Sequence, residues 1–204
     1  MSRVGIAFQT DKRPGEYAHL ARLAEASGVD VLSVYADLMY QPPLPALIEM
    51  ARATERVVLG PACLNPYTTH PYEIAGLAAG LDAVSGGRAY LGLARGSWLG
   101  AIGVAQPDPV GHIAEAWEVV VRLLGGDDAG FEGRRFHLQA GERFRYPVVR
   151  ERIPLLIGSW GVKTLRLAGH IASEAKIGGS ANPAMVAVAR RRLAAGSLEA
   201  GRGA

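Results

Sequence analysis

Six times along the chain, a short aliphatic or β-branched run is followed by a segment whose apolar residues recur every three to four positions. The apolar runs are Val4–Phe8, Val29–Asp37, Arg56–Leu64, Arg88–Ala94, Ile153–Gly158 and Ile171–Gly178. The helical segments are Glu16–Gly28, Leu44–Arg56, Tyr72–Ser85, Val110–Leu124, Gly161–Gly169 and Pro183–Ala200, with Pro42, Pro43 and Pro45 placed in the loop before the second. Runs this short and this apolar suit strands buried on both faces. Strand–helix repeats of this kind form a parallel sheet with right-handed crossovers. Only "GFEGRRFHLQAGERFRYPVV", with turn residues and short alternating segments, breaks the rhythm, and it predicts a small hairpin.

An open doubly wound sheet and a closed barrel both accommodate this rhythm. The nucleotide-binding version of the open sheet carries GxGxxG after its first strand. The corresponding stretch here is "AFQTDKRPGE", which has no such loop, and a (β/α) barrel is the expectation. Eight-unit barrels take about 250 residues. The 204 residues and six units predict one shortened barrel domain over 1–204, incomplete at its C-terminal side.

Several classes are set aside at this level. The lone Cys63 allows no disulfide within the chain and points to a reducing compartment. No apolar run reaches membrane-spanning length and the N-terminus lacks a signal-peptide plan, so a cytoplasmic protein without a membrane partner is expected. A net charge of +3 is spread along the chain, and the one dense basic run, Arg190–Arg192, reads as a solvated helix face; no nucleic-acid partner is expected. The histidines show no ligand spacing, so no metal site is expected.

The polar chemistry lies where strands end. Asp37 closes the second strand, at the face where barrel active sites lie. After the third strand comes "CLNPYTTHP", with Cys63, Leu64, Asn65 and Thr68 in a loop stiffened by Pro61 and Pro66. His70 before Pro71 reads as a helix cap. Arg95 and Ser97 follow the fourth strand, and a cation there suits an anionic ligand. Gly158, Ser159, Trp160 and Gly161 follow the fifth and open a helix, whose backbone amides suit a phosphate.

Three segments, "NPYTTHP", "LDAVSGGRAYLGLARGSW" and "GEYAHLARLAEASGVDVLSVYAD", together strongly resemble the luciferase-like oxidoreductases, and most closely their deazaflavin-dependent, methylenetetrahydromethanopterin reductase-like branch. "IPLLIGSWGVKTLRLAGHIASEAKIGG" resembles the family's fifth and sixth strand region, so only Phe131–Arg152 is loosely matched. The resemblance implies a TIM barrel that binds coenzyme F420, or alternatively FMN, at the C-terminal strand ends and moves a hydride between C5 of the deazaflavin and a small organic substrate. It places Asp37 as the catalytic residue, and Cys63, Leu64, Asn65, Thr68, Arg95, Ser97 and Gly158–Gly161 around the cofactor. It also implies a non-proline cis peptide in a bulge after strand three, falling at Cys63–Leu64.

The sequence departs from the family at three acid–base positions. Leu38 stands where many deazaflavin enzymes have His, Ala7 where methanopterin reductases have Glu, and Ser97 where sugar-phosphate-oxidising relatives have Glu. A flavin-dependent monooxygenase, a non-catalytic short flavin-binding member and a truncated gene product are the competing readings. An open barrel edge predicts a covering partner, most simply a second copy in a homodimer.

Overall fold

The computed structural model describes residues 3–179 and 182–202. Six short parallel strands follow the expected order: β1 (Gly5–Phe8), β2 (Val31–Val34), β3 (Val58–Pro61), β4 (Leu91–Ala94), β7 (Leu155–Gly158) and β8 (Glu174–Lys176). Between β4 and β7 lies the antiparallel hairpin β5 (Phe131–Glu132) and β6 (His137–Leu138), in the segment that broke the rhythm. β1-β2-β3 and β4-β7-β8 are each continuous parallel sheets. They join through Tyr90 N donating to Leu59 O (3.0 Å) and Leu64 N donating to Gly92 O (2.9 Å). The result is one arc ordered β1-β2-β3-β4-β7-β8, the parallel strand–helix arrangement of a (β/α) barrel.

The helices are α1 (Glu16–Ala26), α2 (Pro43–Ala53), α3 (Pro71–Ser85), α4 (Pro109–Gly125), α5 (Val162–Ile171) and α6 (Pro183–Glu199). Side chains alternate along each strand. Leu32, Val34 and Leu59 face outward into a core with Tyr17, Leu47 and Met50 of α1 and α2. Leu91, Leu93, Leu155 and Ile157 face a second core with Ile74, Ile113 and Val120 of α3 and α4. The opposite faces of the strands line the barrel, where glycines such as Gly60, Gly92 and Gly158 alternate with larger residues such as Leu156 and Lys176, and Ser33 and Tyr90 are hydrogen-bonded at 2.7 Å.

Several boundaries differ from expectation: β2 ends at Val34 and β3 at Pro61, so Asp37 and Cys63 lie in the loops beyond the strands rather than closing them. Pro43 and Pro45 belong to the first turn of α2, where no helical N–H is lost. That helix stops at Ala53 because Thr54 turns extended and its hydroxyl bonds Met50 O at 2.7 Å. Arg88 then caps the helix end, donating to Ala51 O and Thr54 O at 2.7 and 2.9 Å. Ile171 ends α5 rather than starting the sixth strand.

The strand order has two ends. Val4, just before β1, and Ile6, within it, are 59% and 38% exposed. Arg3 at one end pairs with Glu174 at the other, an exposed ion pair of small energetic worth.

Candidate functional site

The loops after β2, β3, β4 and β7 converge at the C-terminal end of the arc, so Asp37, Cys63–Thr68, Arg95–Ser97 and Gly158–Gly161 share one mouth. The centre of that mouth is a bulge. Leu59 bridges Ala89 and Leu64 bridges Leu93, so five steps along one strand meet four along the other. One residue is extra, as in a β-bulge. The cis peptide lies within it between Ala62 and Cys63, one bond earlier than expected.

The bulge sends Cys63 and Leu64 to opposite sides. Leu64 packs into the helix-side core. The Cys63 thiol turns inward over two bare backbones: a Cβ on Gly158 would meet Sγ at 2.9 Å, and one on Gly92 at 3.3 Å. Burial pushes the thiol from an ordinary 9.0 up to about 12, so it is neither a nucleophile nor an anion near neutral pH. Unfolding lets this thiol ionise about three units earlier. The unfolded state therefore releases the proton first, and stability falls as pH rises between about 9 and about 12. Denaturant titrations at pH 8 and pH 10 should show a loss of about 1.4 kcal/mol from this group, absent in Cys63→Ala.

Asn65 is the hub of the loop. Its Oδ1 accepts from Tyr67 N (3.1 Å), Thr68 N (3.0 Å) and Thr68 Oγ1 (3.1 Å). The amide thus holds the loop's shape, and Thr68 presents a hydroxyl whose proton is already committed, an acceptor toward a ligand. Tyr67 stacks on His112 at 4.0 Å and donates to Pro107 O at 2.6 Å. His70 caps α3, its Nδ1 accepting from Tyr72 N at 3.2 Å.

Asp37 lines an apolar cavity of about 380 Å3 with Asn65, Thr68 and Thr69; its other walls include Leu47, Leu64, Leu77 and Leu81, on the helix side of β3 and β4, so Asp37 stands between this cavity and the barrel mouth. Its Oδ2 accepts from Gln9 Nε2 at 2.8 Å, while Gln9 Oε1 accepts from Thr10 N at 3.0 Å. Gln9, at the end of β1, was not among the sequence candidates; its only signal is being the first polar residue after a strand.

Arg95 and Ser97 are exposed, with Gln106 Nε2 donating to Arg95 O and Gly96 O. Among the described residues the Arg95 guanidinium forms no ion pair, leaving it open to an anion. Gly158 faces the barrel, Ser159 Oγ accepts from Gly161 N at 3.0 Å, and α5 begins with no side-chain cap. Trp160 is half exposed, its carbonyl held by Arg192. Lys176, beside Gly158 on β8, was also missed: its ammonium lies inside the barrel, 4.1 Å from the Tyr35 ring centroid.

No group of three His, Cys, Asp or Glu residues among those described is placed to hold a metal, and no described helix is long and apolar enough to cross a membrane. The mouth does fit a flat ring. Its floor is the Cys63 sulfur lying on the bare backbones of Gly92 and Gly158, and the uncapped α5 N-terminus beside Gly158 offers backbone amides to a phosphate.

A family model described as luciferase-like monooxygenase matches residues 1–204. The 5,10-methylenetetrahydromethanopterin reductase of Methanopyrus kandleri is 30% identical over 214 residues, covering 97% of this chain. An F420-dependent glucose-6-phosphate dehydrogenase of Nakamurella multipartita is 32% identical over 175 residues, covering 78% of this chain and 50% of its own length. The solved coenzyme F420 dependent tetrahydromethanopterin reductase from Methanopyrus kandleri superposes with a TM-score of 0.91 at 28% identity, over 98% of this chain and 62% of that one. The chain spans 61% of the length of the Methanopyrus reductase it matches in sequence.

Proposed function

Because the chain belongs to the luciferase-like monooxygenase family, we propose that it is an F420-dependent oxidoreductase that moves a hydride between the deazaflavin and a small organic substrate. The observation that carries this reading is the mouth itself: a bulge after β3 sets Cys63 over the bare backbones of Gly92 and Gly158, beside an uncapped helix N-terminus. Its likeness to a methylenetetrahydromethanopterin reductase and a glucose-6-phosphate dehydrogenase favours F420.

When bound, the cofactor supplies the hydride chemistry, and the chain supplies position and charge. Cys63 backs the ring and Asn65 fixes the loop, whereas Leu64, expected beside the cofactor, is turned away into the helix-side core. Gly158–Gly161 and the α5 amides hold the phosphate, and Arg95 takes a further negative group. Asp37 is the one carboxylate lining the cavity, and Gln9 aims it. A substrate that loses a hydride must also lose a proton, and Asp37 Oδ2 receives it. With Ala7, Leu38 and Ser97 at the other acid–base positions of the family, Asp37 performs this role alone.

The same reading takes residues 1–204 as one (β/α) unit, the open β1 edge as covered by a second copy, and the location as cytoplasmic. The exposed Val4 and Ile6 support the covered edge.

The test is anaerobic turnover, followed as loss of the oxidised F420 absorbance against secondary alcohols and sugar phosphates, and as its regain from reduced F420 against methylene-pterins. Asp37→Asn should lower kcat by about 10²–10⁴-fold, the range for a positioned acid–base group, with F420 affinity unchanged. Unaltered turnover in Asp37→Asn would remove Asp37 from the chemistry. No turnover of any class by a protein that binds F420 would contradict the enzyme reading.

A further inference from the structure

Lys176 is the last residue of β8, and its neighbour Ala175 packs toward the helix-side core, so the lysine faces into the barrel. Its Nζ is buried and has no hydrogen-bond partner. The aromatic face of Tyr35, 4.1 Å away, is its one attractive contact. Among the described residues it forms no salt bridge.

No described titratable group around it is paired with it. Glu174, on the same strand, is paired with Arg3. The Asp37 carboxylate, beyond β2, is turned to Gln9 rather than to the lysine. The Cys63 thiol, beyond β3, keeps its proton because burial raises it to about 12. The Tyr90 phenol from β4 is likewise raised by burial and stays neutral. A ring face offsets only part of the desolvation cost of a buried ammonium. Among the described residues the ammonium therefore has no ion-pair partner inside the barrel.

The register shows where that charge acts. Lys176 pairs with Gly158, which pairs with Ala94. Gly158 has no side chain, and the Cys63 sulfur fills the space over it. Ammonium, thiol and bare backbone make one floor at the mouth, in a low-dielectric setting where a charge is weakly screened.

We propose that Lys176 is the fixed counter-charge of a delocalised ring anion, the ionised deazaflavin of coenzyme F420, and that it selects this ring over the neutral oxidised ring of FMN. This rests on the cofactor reading above. The deazaflavin ring carries an acidic hydroxyl whose conjugate base spreads its charge through the conjugated system. The oxidised flavin ring of FMN has no such hydroxyl. A cation under the floor favours the first ring and gives the second no advantage.

The test is a pH titration of the absorbance spectrum of bound F420, with wild-type protein, Lys176→Met and Lys176→Arg, each checked for folding by circular dichroism. Ring ionisation in the wild-type complex should occur at lower pH than for free F420. Lys176→Met should raise it by at least one pH unit relative to wild type, a tenfold change, and Lys176→Arg should restore most of the difference. The preference for F420 over FMN in direct titrations should fall about tenfold in Lys176→Met. A wild-type complex whose ring ionises at the same pH as free F420 overturns the proposal without need of any variant. So does an unshifted Lys176→Met that folds and binds. Absence of F420 binding by folded wild type would instead remove the cofactor reading and this proposal with it.

Discussion

Replacing Asp82 with alanine is expected to cost about 3 kcal/mol, the low end of the range for breaking a buried ion pair from one side. Asp82 is 1% exposed on α3. Its carboxylate accepts from Arg150 Nε at 3.0 Å, from Arg150 Nη2, and from Ala89 N at 3.1 Å. Arg150 Nη2 also donates to Ala89 O at 2.6 Å. The pair therefore pins the start of β4 to α3 and to the segment leading into β7. Alanine leaves an amide and a guanidinium without their acceptor. Arg150 is one-third exposed and partly rehydrates, which keeps the cost near the low end. For a chain of this size the melting temperature should drop by roughly 6–12 °C. Thermal and urea melts check this, and a loss under about 1 kcal/mol would show that water substitutes for the carboxylate.

Gly92→Ala should be nearly as costly and should also damage the site. A Cβ there would sit 2.1 Å from the Pro61 carbonyl oxygen and 3.3 Å from Cys63 Sγ. The first neighbour is backbone, so β3 itself must move at the bulge. Overpacking of this kind costs about 1–3 kcal/mol. Because the same shift displaces Cys63 from its place over Gly158, F420 affinity should fall at least tenfold. Gly100→Ala, whose Cβ meets nothing within 4 Å, is the control and should leave both unchanged. A Gly92→Ala protein that is destabilised yet binds F420 normally would separate the bulge from the binding floor.

The β/α rhythm was legible because most strands are apolar runs and several helices end at glycines that the sequence shows, such as Gly28 and Gly86 in left-handed conformation. The long segment "LDAVSGGRAYLGLARGSW" was legible as a family signature but not as chemistry. Asp82 and Arg88 turn out to be struts, the first tied to Arg150 and the second tying α2 to the start of β3. A sequence does not distinguish a charged strut from a charged site residue, since both are polar groups beside turns. Gln9 and Lys176 were invisible for a related reason. A lone Gln after a strand reads as loop, and a Lys beside Glu174 reads as a solvated edge. Only the register that sets Lys176 against Gly158 turns it into the barrel. The prolines of α2 were misplaced because proline serves equally well in a loop and in a first helical turn.

The central claim is that the mouth around the Cys63 bulge holds the ring of coenzyme F420. Fluorescence-quench titration of the folded protein with F420, and separately with FMN, tests it most directly. The account predicts saturable F420 binding at least tenfold tighter than that of FMN. Tighter binding of FMN, or binding of neither cofactor by a sample that melts cooperatively, would contradict it.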